Sequence, residues 1–205
     1  MTAPMSGDSR AAWRALAITL VAFVLACLID RWVYQNVRMS GVYNEDWGRL
    51  LRVMGFLPTW MALALAVGLQ EGVGAGRALA RRRGWLLFWA PALGGISAEV
   101  LKLIIRRERP AVHDGFHGFR PFDERTWSTA GLALPSSHAL VAFAGAAMLA
   151  RLYPRAGWIG WTLAAGCGVT RILAGAHFLS DVVLAAGAGW LVAWALNRRL
   201  PVNTG

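Results

Sequence analysis

The chain is short of charge, short of acidic residues in particular, and almost without cysteine. Charged residues make up 16% of its 205 positions, and only 11 are Asp or Glu against 21 Lys or Arg. Soluble domains carry about a quarter charged residues, so a soluble globular fold is not the natural reading. The two cysteines, Cys27 and Cys167, both fall inside apolar runs. They read as buried free thiols, and nothing in their placement suggests a disulfide framework or a metal site. Internal repeats, low-complexity segments and linkers are also missing, so residues 1–205 are expected to form a single membrane-embedded domain. The first apolar run has no Ala-x-Ala ending and continues through Asp30-Arg31-Trp32, which speaks against a cleaved signal.

What the chain has instead is apolar length. It is 57% hydrophobic, contains 11 Trp, and shows six apolar stretches at about 15–29, 56–69, 85–105, 139–150, 158–173 and 182–196. A helical span needs about 20 residues. The third and sixth runs reach this easily, while the second, fourth and fifth must borrow flanking residues. Only helices or closed barrels satisfy their backbones in lipid. These runs are continuous rather than alternating, so the expected fold is an all-α integral membrane bundle of six transmembrane helices. Trp13, Trp32, Trp85, Trp158 and Trp194 sit near run ends, where aromatic belts form. Small residues crowd the later runs, as in Gly145-Ala146-Ala147, and permit close helix packing.

The formal net charge is +10. The arginines lie at the ends of apolar runs rather than on one soluble face, so nucleic acid is not the expected partner and anionic lipid is. Positive residues are nearly balanced between the two sides of a six-span chain. The Arg81-Arg82-Arg83 cluster, read as a short loop, tips the orientation. Both termini are then cytoplasmic, and the opposite face is the periplasm or outside of the cell (inner) membrane.

Three short patterns fall on that opposite face. The first is Lys102, six residues, then Arg109-Pro110. A cation inside an apolar run is expensive and marks function by default, although Lys102 alone reads equally well as a snorkelling side chain. Arg109 offers a planar fork for phosphate oxygens, Lys102 a compact charge, and Pro110 ends the helix. The second pattern is Pro135-Ser136-Ser137-His138, just before the fourth run. A helix starting here aims free backbone N–H groups at an anion, and the competing reading is that Ser136 is a simple N-cap. The third is Arg171, five residues, His177, three residues, Asp181. If His177 and Asp181 share one helix, they lie on one face. Asp181 would then fix the imidazole tautomer and leave the other nitrogen as a nucleophile.

In this order the three patterns resemble the signature of the phosphatidic acid phosphatase type 2 superfamily, in its membrane-embedded lipid phosphatase branch. The resemblance covers residues 102–181. By position it implies that His177 forms a phosphohistidine, that Asp181 orients it, and that His138 is the general acid. Lys102, Arg109, Ser136, Ser137 and Arg171 resemble the phosphate cradle, with no metal and no cofactor. The chain departs from the family at Ser137, where Gly is usual, and at Thr170, where Ser is usual. The first change puts substrate size in question more than activity.

Among the remaining polar residues, Glu99 lies three before Lys102 and is a candidate partner for it. His113 and His117 read as residues of a solvated or headgroup-facing loop, Arg106 and Glu108 as loop stabilisers, and Phe116 to Trp127 as a lid or interfacial segment. The expected activity is dephosphorylation of a membrane lipid monophosphate or diphosphate arriving laterally, with undecaprenyl diphosphate favoured by analogy. The rivals are a phosphotransferase or vanadate-holding oxidase built on the same cradle, and a non-enzymatic phospholipid binder or transporter. The latter would need cations but not a nucleophile with an orienting carboxylate.

Overall fold

The computed structural model describes residues 7–70 and 76–200. The chain is all-helical, with α1 Gly7–Val37, α2 Asp46–Val53, α3 Leu57–Gln70, α4 Arg77–Ile105, α5 Ser137–Leu152, α6 Gly157–Leu173 and α7 Leu179–Arg199. Among the described residues no strand forms; two isolated bridges, Arg107 with Phe119 and Glu108 with Leu132, tie the long loop between α4 and α5.

Each of the six apolar runs seeds a helix, and several helices extend beyond their run. α4 starts at Arg77, so Arg81-Arg82-Arg83 is part of a helix and not a loop. Arginine is a good helix former and continues the turn set by the apolar residues after it. The cluster lies about 30 Å along α4 from Lys102, at 1.5 Å per residue, and therefore at the far end of the bundle. α2 was not foreseen. It meets α3 at a 65° bend, and the two together have the length and hydropathy of one broken span. By length and composition α1, α4 and α7 can each cross a membrane, and this bent pair makes a fourth. A count of six needs the shorter α5 and α6 as well. The protein is a multi-pass membrane protein.

α5 is the hub. It packs against α4, α6 and α7, while α3 lies on α4 and α1 on α7. The contacts are close because the partners are small. A Cβ on Gly145 of α5 would come within 2.4 Å of the Trp60 ring of α3, and one on Gly189 of α7 within 2.7 Å of the Ala144 nitrogen. Lipid offers no hydrophobic drive between helices, so this close packing supplies the attraction. α1 is peripheral and turns apolar side chains outward, Leu28 at 77% exposure. The bundle core of Leu86, Leu87, Ala147 and Met148 leaves the polar residues gathered at one end.

Candidate active site

That polar end is built from the C-terminal end of α4, the loop after it, the start of α5, the end of α6 and the start of α7. Lys102, the chain's single lysine, lies in the last turn of α4 and is buried. Its ammonium donates to Glu99 Oε1 at 3.1 Å and to the Ser137 hydroxyl, which in turn donates to the same Glu99 oxygen at 2.6 Å. The Ser137 side chain is thus tied into the Lys102–Glu99 pair. Its position at the first turn of α5 leaves its backbone N–H free of an intrahelical acceptor.

Ser136 is the N-cap residue of α5, yet its side chain makes no capping bond. Its hydroxyl is buried with no hydrogen-bond partner, and so are Nε2 of His138 and the Nε atoms of Arg109 and Arg171. Buried donors and acceptors left open in this way are uncommon. Here, with Nδ1 of His177, they belong to five of the eight residues singled out by sequence. His138 packs edge-on against Phe56 at 5.5 Å. The bend between α2 and α3 reaches it because position 55 is glycine: a Cβ there would stand 2.5 Å from that of His138.

Arg171 sits in the last turn of α6 and donates to the Tyr43 hydroxyl at 2.8 Å; that hydroxyl donates to the Thr170 carbonyl at 3.2 Å. Arg52 stacks over the same ring at 4.7 Å. Burial and the neighbouring charge of Arg171 lower the pKa of Arg109, while Asp181 and Tyr43 raise it. Arg109 and Arg171 are therefore near enough to repel, a pairing that an anion between them relieves.

His177 and Asp181 do not share a helix. His177 lies in the turn before α7, and Asp181 is in the first helical turn, where Oδ2 accepts the N–H of Phe178 at 2.8 Å. The four-residue spacing still brings His177 Nδ1 to 3.4 Å from Asp181 Oδ2. Such contacts are often long before substrate binds and tighten with it. Burial pushes the His177 imidazole down to about 4, against the upward pull of Asp181 and with Arg171 and Lys102 reinforcing the depression. The ring is neutral at physiological pH.

Sequence reasoning missed three buried residues behind this pair. Arg107 donates to Asp181 Oδ1 and to the Ser180 hydroxyl at 2.7 Å. Ser180 donates from its backbone to Asp30 Oδ1 at 2.9 Å and from its hydroxyl to Asp30 Oδ2. Asp30 comes from α1 and is 1% exposed. The signal was available, since an aspartate within an apolar run demands a partner.

The loop between α4 and α5 is held by its own arginines. Arg106 is buried and donates to the carbonyls of Arg120, Pro121, Glu124 and Thr126. Arg120 reaches Glu108 and the carbonyls of Ser128 and Ala130. His113 pairs with Glu108 at 2.9 Å, and this bond, with help from Arg120, lowers the Glu108 pKa. His117 is exposed on the loop, yet its ring is anchored: it contacts Asp30 Oδ2 at 3.0 Å and packs edge-on against Phe178. Among the described residues no group of three or more His, Cys, Asp or Glu is placed to hold a metal.

The chain has relatives among known proteins. Over 193 residues the chain is 31% identical to a lipid A 1-phosphatase of Rhizobium etli, covering 87% of this chain and 81% of that one. It is 32% identical over 127 residues to a decaprenylphosphoryl-5-phosphoribose phosphatase of Mycolicibacterium smegmatis, covering 60% of this chain and 61% of that one. The fold is similar to that of a transmembrane PAP2 type phosphatidylglycerolphosphate phosphatase from Bacillus subtilis, with a TM-score of 0.63 over 92% of this chain and 96% of that one at 16% identity. The PAP2 superfamily model matches residues 83–204, the stretch that carries all three patterns. This chain belongs to the PAP2 superfamily.

Proposed function

We propose that the protein is a metal-independent lipid phosphatase that works through a phosphohistidine on His177. The observation that carries this reading is the set of open, buried polar atoms on Ser136, His138, Arg109 and Arg171, beside a neutral imidazole backed by a carboxylate. Binding a headgroup needs the cations alone; the His177–Asp181 pair is chemistry. The cradle of Lys102, Arg109, Arg171 and the α5 N-terminus, with Ser136 and the Ser137 backbone, spreads the charge of the transferring phosphoryl group.

In the first step the free nitrogen of His177 attacks phosphorus, and the bond from phosphorus to the lipid oxygen breaks. His138 gives its proton to that leaving oxygen, while Asp181 steadies the charge growing on the His177 ring. In the second step His138 takes a proton from water, the water oxygen attacks phosphorus, and the phosphorus–nitrogen bond breaks to release inorganic phosphate. No redox partner or metal is required by this balance.

The lipid reaches the site from the side. An apolar groove of about 390 Å³, lined by Leu57, Pro91, Gly95, Ile96 and Val141, runs to Glu99 beside Lys102 and supports that route. The named relatives act on lipid A and on a polyprenyl-linked phosphate. They favour a lipid monophosphate or diphosphate here, undecaprenyl diphosphate among the candidates. The site faces the periplasm or outside, opposite the Arg81–Arg83 end, in one unit comprising residues 1–205. The test is phosphate release by the detergent-purified protein from lipid A, polyprenyl, phosphatidylglycerol and phosphatidic acid phosphates. Release from at least one, undiminished by chelators, supports the reading. Failure on all, or activity restored only by a divalent ion, contradicts it.

A further inference from the structure

We infer that Asp30 of α1 is a positioning residue for the reaction, acting through Arg107 and Ser180 to keep Asp181 available to His177. The inference rests on the reading of His177 as nucleophile. Asp30 lies outside residues 83–204, the stretch that defines the family in this chain, and its helix touches the bundle chiefly through α7.

The Asp30 carboxylate receives the Ser180 N–H at 2.9 Å, the Ser180 hydroxyl, and His117 Nε2 at 3.0 Å as the N–H tautomer. Ser180 donates to it from both backbone and hydroxyl, so the group serves as an acceptor. Arg107 Nη1 is 3.9 Å from Asp30 Oδ2, while Nη2 is bonded to Asp181 and to Ser180. One buried guanidinium is therefore shared between two buried carboxylates. Without Asp30, Arg107 would face Asp181 alone and neutralise it, and an orienting carboxylate fully committed to a guanidinium does little for an imidazolium. With Asp30 present, the guanidinium is divided between two carboxylates, which leaves an excess of negative charge for Asp181 to offer His177. That excess balances the positive ring that forms as His177 is phosphorylated.

Ser180 makes the link directional. Its hydroxyl accepts from Arg107 and donates to Asp30, so it fixes the guanidinium between them. His117 adds the loop: through Asp30, the segment between α4 and α5 is pinned to the same cluster. Phe178 closes it, with the Arg107 guanidinium 4.9 Å over its ring and the His117 ring edge-on to it. Asp30, Arg107, Ser180 and Asp181 are all buried, and in a low-dielectric site the charge balance matters more.

The experiment compares wild type, Asp30→Asn, Ser180→Ala and His177→Ala, each as the full chain in detergent. The readouts are kcat, KM, inhibition by inorganic phosphate, and thermal stability. Asp30→Asn should lower kcat about 10- to 100-fold, by analogy with the outer hydrogen-bond partners of metal-ligating histidines. KM and phosphate inhibition should stay close to wild type, because Lys102, Arg109 and Arg171 do not touch Asp30. Ser180→Ala should shift the same quantity in the same direction by less, and it decides the matter if Asp30→Asn does not fold. A wild-type kcat in the folded Asp30→Asn protein, or in Ser180→Ala when the former is unfolded, overturns the inference. So does a fall in kcat that runs in parallel with weakened phosphate inhibition and lowered stability, since that is the mark of a structural role. An inactive wild type overturns the phosphatase reading itself, and an active His177→Ala overturns the nucleophile; either result removes the basis for Asp30.

Discussion

At the residue scale, the account divides labour between a nucleophile, an acid and a set of fixed cations. His177→Ala should abolish phosphate release while leaving the protein folded. His138→Ala should slow lipid-alcohol expulsion by about 10²–10⁴-fold, and should do less harm with an aryl phosphate, whose leaving oxygen needs no proton. The pH dependence carries its own sign. Burial lowers His177 from 6.5 to about 4, so its nucleophilic form persists through mildly acidic pH. The acid limb of kcat/KM assigned to this group should fall near pH 4 rather than near 6.5. The unfolded chain takes up the proton first, so this group's contribution to stability is complete above about pH 6.5 and declines as pH falls toward 4. The eight residues picked from the sequence do gather at one end of the bundle. What the sequence could not show was direction: the Ser137 hydroxyl turns to Glu99 and Lys102, and Asp181 caps the chain at Phe178 as well as facing His177. Asp30 signalled that it needs a partner, but which one was not legible: Ser180 and Arg107 lie far from it in sequence, and a single chain does not show such pairings.

At the scale of elements, the apolar runs were legible because lipid and core impose continuous hydrophobicity. Their ends were not, because helices such as α4 continue through arginines that no lipid solvates. α2 was invisible for the same reason: Asp46, Arg49 and Arg52 break its apolar pattern, and its packing against α6 supports it as a helix. Two predictions belong here. Gly145→Leu drives a side chain into Trp60 and should cost about 1–3 kcal/mol, the usual penalty of overpacking, read as a lowered Tm; Gly68→Ala, where a Cβ meets open space, is the matched control. Arg106→Ala releases four carbonyls of the loop between α4 and α5. It should raise amide exchange across residues 107–133 well before it affects the α4–α5 core, and unchanged exchange there would refute the clamp.

At the scale of the whole molecule, the polar end and the Arg81–Arg83 end are separated by the length of α4, a helix long and apolar enough to cross a membrane. A cysteine at Asp123, in a chain lacking Cys27 and Cys167, should react with an impermeant thiol reagent in intact cells, and one at Arg82 only after the membrane is opened. The reverse pattern would turn the site to the cytoplasm and favour a role in lipid synthesis on the inner leaflet. The exposed aromatics Phe119, Phe122 and Trp127 lie on the loop beside the site, where an interfacial contact would hold the protein at headgroup depth. The central claim, a phosphoryl group carried on His177, is most directly tested by stopping the purified protein during turnover on a lipid phosphate and measuring the mass of its peptides. The account predicts one added phosphoryl group on the peptide containing His177, accumulating when His138 is replaced if the second step then limits, and absent from His177→Ala. An active enzyme that carries no such group, or carries it on another residue, would contradict the account.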